Sequence, residues 1–159
     1  LSDTYANPLE RYWDDDCLEI FIDADASGGD HLNNYNAFAY HLALDNQVVD
    51  IGPNEAGEAV PQLYNDHVEN KWQRDILAPH KIHWEAAVRV FDDSYQHGKD
   101  NSPVTLKEGM TLGFMLAYCD ADGGDREHFL GSHEITPVNG DKNLGYKDAS
   151  VFGKVKLTK

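Results

Sequence analysis

Four segments of the chain alternate between large apolar residues and small or polar residues with a period of two. They are CLEIFID, NAFAYHLAL, IHWEAAVRVF and LGFMLAYC, and clusters of Gly, Asp or Asn bound them. Successive side chains of a β-strand point to opposite faces of its sheet, so this pattern predicts half-buried strands. The segment FGKVKLTK predicts a last strand at the end of the chain. The pattern therefore indicates an all-β fold.

The predicted strands carry one face of large apolar side chains and one face of small or polar ones. In CLEIFID, Leu18, Ile20 and Ile22 share a face, and Glu19 points to the other. In NAFAYHLAL, alanines and His41 lie opposite four large side chains. Small residues opposite large ones predict a second face that is concave or covered by another part of the chain.

Strands at this spacing, joined by long polar connections, favour two packed antiparallel sheets over a parallel α/β sheet. The expected architecture is an antiparallel β-sandwich, jelly-roll or immunoglobulin-like, formed as a single domain by residues 1–159. Residues 52–81 have no clean period and include Pro53 and Pro61. This region predicts a long excursion with a short helix or a hairpin.

The charge balance narrows the range of partners. The chain has 28 acidic and 13 basic side chains and a formal net charge of −15. Such a charge repels phosphate backbones and anionic lipid surfaces, so we expect no nucleic acid partner. No apolar run approaches the roughly 20 residues of a membrane-spanning helix, so we expect no membrane insertion. Divalent cations are the favoured ionic partners.

Two Asp/Gly strings, DADASGGD and DADGGD, directly follow predicted strands. Calcium takes several hard oxygen ligands at flexible geometry, and glycines allow backbone carbonyls to join the carboxylates. The alternative is a pair of solvated turns, because Asp and Gly also supply turn geometry. We expect a structural calcium ion in at least one loop. The candidate ligands are Asp23, Asp25 and Asp30 in the first loop and Asp120, Asp122 and Asp125 in the second.

No arrangement of residues singles out a catalytic centre. With 28 acidic side chains, carboxylate pairs such as those of glycosidases arise by chance. The chain has neither the HExxH spacing of zinc proteases nor a GxSxG elbow. Trp13, in the polar segment RYWDDD, is either a rim residue packed on a loop or an aromatic platform for the apolar face of a sugar. An enzyme is therefore not predicted.

The segment WDDDCLEIFID resembles the motif of family 9 carbohydrate-binding modules, the sugar-binding domains associated with xylanases and related to DOMON-like sandwiches. Three further pieces agree in order, NAFAYHLAL, WEAAVRV and LGFMLAYCDADGG, and the end GYKDASVFGKVKL is similar to the family's closing pattern. The resemblance leaves residues 52–81 uncovered. It implies a non-catalytic, secreted, extracellular, periplasmic or cell-surface module that binds an oligosaccharide or polysaccharide and takes part in polysaccharide degradation.

The resemblance also implies a set of sugar-binding residues. In the family, two aromatic side chains clamp a sugar and a Glu and an Asn form hydrogen bonds to it. These positions fall on Trp13 and Tyr146 for the aromatic pair, Glu19 for the acid and Asn143 for the amide. A Tyr in place of the second Trp keeps a stacking face with less area.

Two other family positions, an Arg and a Gln, fall near Ala39 and Ala117. Two hydrogen-bond donors of the model members are therefore absent, which predicts altered or lost sugar specificity. His41 and Arg126 are the candidates to replace them. The alternative function is a calcium-stabilised sandwich used for protein–protein or cell-surface assembly without sugar binding.

Strand parity within the resemblance places Cys17 and Cys119 on the same sheet face as the family's ligand positions. A disulfide between them is expected, and two buried free thiols are the alternative. The family strands that precede the Trp motif have no counterpart before Trp13. We expect a fold that is incomplete at the N-terminus, with a missing N-terminal segment or an attached catalytic domain as partner, or else a trimmed fold.

Overall fold

The computed structural model describes residues 1–159, and nearly all of its regular structure is β-strand. One short 3-10 helix, Ala149–Val151, precedes the last strand. The strands are β1 Cys17–Asp23, β2 Phe38–Ala43, β3 Val48–Pro53, β4 Ala59–Leu63, β5 Val68–Arg74, β6 Ile82–Val88, β7 Thr111–Asp120, β8 His128–Gly131 and β9 Gly153–Lys156.

The strands form a seven-stranded sheet and a two-stranded sheet, and all of their pairings are antiparallel. The large sheet has the order β4-β3-β2-β1-β7-β8, and β9 also pairs with β7. Strands β8 and β9 pair with the C-terminal and N-terminal parts of β7 respectively. Strands β5 and β6 form the second sheet. The predicted antiparallel β-sandwich is confirmed.

The main core lies on the large-residue face of the seven-stranded sheet. Ile20, Phe38, Tyr40 and Leu42 are buried there together with Val68 of the second sheet. Burial of apolar side chains is the main favourable contribution to folding, at roughly 25 cal/mol per Å². The alternation in the sequence therefore predicts the correct core-facing set of β1 and β2.

A second core covers the opposite face of the large sheet. Phe21, Ala39, Met115 and Ala117 pack there against residues from the segment that precedes β9. Gly145 belongs to that segment, and a Cβ at this position would lie 2.8 Å from Phe21 Cε1. Small residues on both sides thus allow the covering segment to approach the sheet closely. The predicted covered face is confirmed.

Of the two alternatives predicted for residues 52–81, a short helix or a hairpin, the structure has the hairpin. Strands β3 and β4 form a hairpin, and β5 starts soon after it. Pro61 is tolerated because β4 is an edge strand of the sheet, where no further strand needs its missing N–H. Asn70 is a polar residue on the buried face of β5. Its side-chain nitrogen donates to Asn46 O, and its side-chain oxygen accepts from Trp84 Nε1. The chain has no helix that is long and apolar enough to cross a membrane.

Candidate functional site

A cavity of about 290 Å³ opens at one end of the small-residue face of the large sheet. It contains all four residues implied by the resemblance and both of the candidate replacements. Two of its residues were not anticipated from the sequence, Tyr12 and Ile51. The lining residues are Tyr12, Trp13, Glu19, His41, Ile51, Arg126, Asn143 and Tyr146.

The floor of the cavity is set by the register of three neighbouring strands. Glu19 in β1 is paired with His41 in β2 on one side and with Ala117 in β7 on the other. Residues directly opposite in an antiparallel pair project to the same face, so the carboxylate and the imidazole lie side by side. The small side chain of Ala117 leaves room above the sheet. Glu19 and His41 are both buried.

The buried carboxylate of Glu19 is held by three partners. His41 Nε2 lies 3.1 Å from Glu19 Oε1, and an Arg126 guanidinium nitrogen lies 3.6 Å from the same oxygen. The Cys119 thiol donates a hydrogen bond to it over 2.7 Å. Because every one of these partners approaches Oε1, the other carboxylate oxygen is left to accept a hydrogen bond from a bound molecule.

Glu19 and His41 each stabilise the charged form of the other. Burial raises the pKa of Glu19, but His41, the Cys119 thiol and the Arg126 charge together outweigh burial and lower the pKa below its ordinary value. Burial likewise disfavours protonated His41, but the charge of Glu19 and the hydrogen bond to it raise the His41 pKa to about 9. His41 Nδ1 lies 3.1 Å from the carbonyl oxygen of Ala39, so both ring nitrogens face acceptors. The cavity floor is therefore an imidazolium–carboxylate pair.

The stability of the protein is expected to fall as the pH rises from 7 to about 8.5. The raised pKa of His41 means that its contribution is complete below the unfolded value near 6.5 and is lost as the pH passes about 9. The difference corresponds to about 3 kcal/mol in all. Urea unfolding across this pH range measures the effect.

The chosen pH range separates His41 from other titrating groups. Burial raises the pKa of Asp50 from 3.8 to about 7, so the cost of ionising that carboxyl grows as the pH rises toward 7 and changes little above it. Thiols and tyrosines of the unfolded chain ionise mostly above about pH 8.5. In His41→Gln the slope between pH 7 and 8.5 should be lost. Parallel pH profiles for the variant and the parent would contradict the assignment.

The aromatic wall comes from the segment before β1. Tyr12 packs edge to face against Trp13, with ring centroids 5.0 Å apart, and against His41 at 4.7 Å. Trp13 itself is 37% exposed. The tryptophan is therefore supported from behind by Tyr12 and keeps free ring surface toward the cavity.

Three buried aspartates, Asp14, Asp15 and Asp16, fix the position of this wall. Asp14 Oδ1 accepts from the backbone N–H of Arg126 over 3.0 Å, which joins the wall to the connection between β7 and β8. Asp15 accepts from two backbone N–H groups of the N-terminal segment, and Asp16 accepts from the hydroxyl of Tyr118. The acidic run that follows Trp13 thus positions the site.

The remaining wall is the loop that carries Asn143 and Tyr146. His31 Nε2 donates to the carbonyl oxygen of Gly145 over 2.8 Å, and the backbone N–H of His31 donates to Lys147 O. Asn143 is exposed, and Tyr146 is half-buried. The first Asp/Gly loop, which ends beside His31, therefore supports the tyrosine side of the cavity.

The predicted disulfide between Cys17 and Cys119 is wrong. The two residues are directly paired across β1 and β7 and are buried on the predicted face, but both are free thiols. The Cys119 sulfur is directed to Glu19, and it accepts from Arg126 over 3.4 Å. Strand parity fixes the shared face, whereas these polar partners fix the direction of the thiol.

Most of the acidic side chains proposed as calcium ligands have partners within the protein. Asp23 accepts from the backbone N–H groups of Asp25 and Gly28, at 3.1 and 2.8 Å. In the second loop, Asp120 lies 3.3 Å from a nitrogen of His128, and Asp125 pairs with an arginine, Arg11. Neither loop brings three acidic ligand atoms together. In this arrangement the side chains do not form a calcium cage.

Comparison with known proteins agrees with this fold. The family model described as "Carbohydrate family 9 binding domain-like" matches residues 1–159. A family 9 carbohydrate-binding module from Caldicellulosiruptor kristjanssonii in complex with cellotriose has a TM-score of 0.60 and 15% identity, covering 98% of this chain and 62% of that chain. The glucose complex of a module from the same organism has a TM-score of 0.60 and 16% identity, covering 99% and 64%.

The two solved structures support the fold, and the chain spans less than two thirds of the length of each. No relative among curated proteins matches the sequence. The family match covers the whole chain, including residues 52–81, which the motifs left open. The chain belongs to the carbohydrate family 9 binding domain-like family.

Proposed function

We propose that the cavity binds the terminal sugar of an oligosaccharide or polysaccharide chain and performs no reaction on it. The observation that carries the proposal is that Trp13, Glu19, Asn143 and Tyr146, which are distant in sequence, line one cavity. Its volume of about 290 Å³ is at the small end of ligand pockets and suits a sugar ring better than a long chain. The sugars named for the two similar structures, glucose and cellotriose, are the first ligands to test.

The chemistry of the lining residues suits a sugar. Trp13 and Tyr146 supply aromatic surface for the C–H face of a pyranose ring. The free oxygen of Glu19 accepts from a hydroxyl, and the Arg126 guanidinium donates to one. Arg126 thus supplies a donor that the alanine positions lack. Because the donor comes from Arg126 and not from the positions of Ala39 and Ala117, we expect a sugar preference different from that of family members with the original Arg and Gln.

Calorimetric titration with glucose and cellotriose should show saturable binding to one site per chain. Tyr146→Ala should weaken this binding roughly tenfold, because a stacking surface worth about 1.4 kcal/mol is lost. Tyr146→Phe should retain the affinity, since the ring and not the hydroxyl makes the contact. Tyr5→Ala, outside the cavity, is the matched control. Binding that is unchanged in Tyr146→Ala would remove Tyr146 from the site.

Assembly with a protein partner is the second candidate function. The tip of the β5–β6 hairpin exposes Ile76 and Leu77, whose exposed fractions are 91% and 79%. Exposed apolar residues of this kind favour a protein contact. A broad glycan array without a hit, together with a stable complex between this chain and another protein, would select assembly over sugar binding.

Calcium binding by the two Asp/Gly loops stays a prediction. A bound ion that is specific for the folded state stabilises it, so removal by EDTA should lower the melting temperature. Added CaCl₂ should restore it, whereas MgCl₂ should not, because magnesium demands a stricter geometry. The Asp23→Asn variant should lose the response. An identical melting temperature with and without EDTA would exclude calcium.

The proposed sugar binding also suggests where the protein is located and which other domains accompany it. We propose that the module is secreted or displayed at a cell surface, where it holds polysaccharide for degrading enzymes. An attached catalytic domain or a further N-terminal segment is the corresponding partner. Mass spectrometry of the natural protein from culture medium and cell fractions tests both points.

A further inference from the structure

Two thiols and a carboxylate converge at the floor of the cavity. The ligand atoms of Cys17, Glu19 and Cys119 all lie within 4.8 Å of one another, and the three residues are buried. Cys17 and Cys119 are direct partners across β1 and β7, and Glu19 follows two residues after Cys17 on the same face. The strand register therefore holds the three groups together without any loop.

A fourth group lies beside them. His41 is the cross-strand partner of Glu19, and its Nε2 lies 3.1 Å from Glu19 Oε1. Its Nδ1 lies 3.1 Å from the backbone carbonyl of Ala39 and donates to it. A metal-bound histidine commonly donates its other ring N–H to a carbonyl, which fixes the ring and directs the free nitrogen to the metal. Nε2 is thus the nitrogen that faces the cluster.

The donor set selects the class of metal. Two sulfurs, one imidazole nitrogen and one carboxylate oxygen suit tetrahedral Zn²⁺, with bonds of about 2.3 Å to sulfur and about 2.0–2.2 Å to nitrogen and oxygen. Tetrahedral ligands at these lengths lie about 3.3–3.8 Å apart, so the atoms of Cys17, Glu19 and Cys119 must draw together, and His41 Nε2, which contacts the cluster through Glu19, must move toward the two sulfurs to complete the geometry. Calcium does not fit, since it takes six to eight oxygens.

We propose that Cys17, Cys119 and Glu19 form the centre of a buried zinc site at the floor of the cavity, which His41 completes, separate from the two Asp/Gly loops. Binding transfers the two thiol protons and the imidazolium proton to solvent, and no oxidation or reduction takes place. Zn²⁺ with two thiolates and one carboxylate carries one net negative charge. Arg126, whose guanidinium lies 3.4 Å from Cys119 Sγ, balances it. Glu19 and His41 line the cavity, which gives the ion a path to the site.

Cobalt is the spectroscopic probe for this site. The chain has two cysteines, so any thiolate-to-cobalt charge-transfer band reports this pair alone. Reduced, metal-free protein equilibrated with Co²⁺ should develop such a band in the near ultraviolet and strong tetrahedral d–d bands in the visible, saturating at one ion per chain. Stoichiometric Zn²⁺ should displace the cobalt and remove both sets of bands. Absence of a charge-transfer band at saturating Co²⁺ would overturn the proposal.

Variants identify the ligands. Cys119→Ser should weaken Zn²⁺ binding by at least the roughly 10- to 100-fold that loss of a supporting contact to a metal ligand produces. His41→Gln should weaken binding and shift the d–d bands while keeping the charge-transfer band. His128→Gln, an exposed histidine beside Asp120, is the matched control and should change neither. Full-strength bands in Cys119→Ser, or bands lost only in His128→Gln, would overturn the site. The spectrum of the unmodified chain tests the proposal even if the serine variant does not fold.

Discussion

Replacing Trp13 with alanine is expected to raise the dissociation constant for cellotriose roughly 30-fold, equivalent to about 2 kcal/mol, the usual effect of removing a central aromatic contact. The change removes the exposed ring face on which a sugar would pack and also the edge contact to Tyr12. Because Trp13 is 37% exposed, its loss should change the free energy of unfolding far less than it changes the affinity. Isothermal titration and urea unfolding of the same samples measure the two quantities.

Trp72 provides the matched control for this change. It lies in β5, outside the cavity, and its indole N–H donates to the carbonyl of Leu44. Trp72→Ala should destabilise the fold and leave the affinity of the folded fraction unchanged. Trp13→Phe should retain most of the binding because it keeps an aromatic face. Equal affinities for the parent and Trp13→Ala would remove Trp13 from the site.

Replacing Glu19 with alanine is expected to destabilise the protein by about 3–5 kcal/mol, the range for breaking a buried ion pair by removal of one partner. The variant would leave the His41 imidazolium and the Arg126 guanidinium without the carboxylate that both approach. It would also leave the Cys119 thiol without its acceptor. Chemical denaturation at pH 6, where His41 is protonated, measures the loss.

Two comparisons separate the ion pair from simple truncation. Glu85→Ala makes the same change at an exposed position of β6 and should alter stability by no more than about 0.5 kcal/mol. The double variant Glu19→Gln/His41→Gln should be more stable than the sum of its single changes predicts, because no unpaired charge remains. Additive single changes would show that Glu19 and His41 act independently.

The strands and their faces can be predicted from the sequence because a period of two is a local property. Leu18, Ile20 and Ile22 alternate with Glu19 without interruption, and in the structure Ile20 and Ile22 are buried in the main core while Leu18 packs against it half-buried. Strands β4 and β5 are not predicted, because in each strand one residue interrupts the local pattern. Pro61 is typical of a turn unless the strand is known to lie at an edge, and Asn70 breaks the apolar period until its partners Asn46 and Trp84 are known.

The cavity is only partly predictable because its walls come from separate parts of the chain. The family resemblance assigns Trp13, Glu19 and Tyr146 to one binding site, but no sequence pattern predicts that Arg126 lies beside Glu19. That position depends on the bond from the Arg126 N–H to Asp14, between residues more than 100 positions apart. The direction of the Cys119 thiol depends on the same neighbourhood. Contacts of this kind follow from tertiary packing and leave no local periodicity.

The division of the cavity between strands and loops has a consequence for how the protein can change. Glu19 and His41 belong to the pairing register, and a slip of one residue would turn both toward the main core. Trp13, Asn143 and Tyr146 lie outside the strands. Substitutions at the loop positions should therefore change the ligand preference with little loss of stability. Substitutions at the strand positions should change both ligand binding and the stability of the fold. A library for new specificities should vary the loops and hold the strands constant.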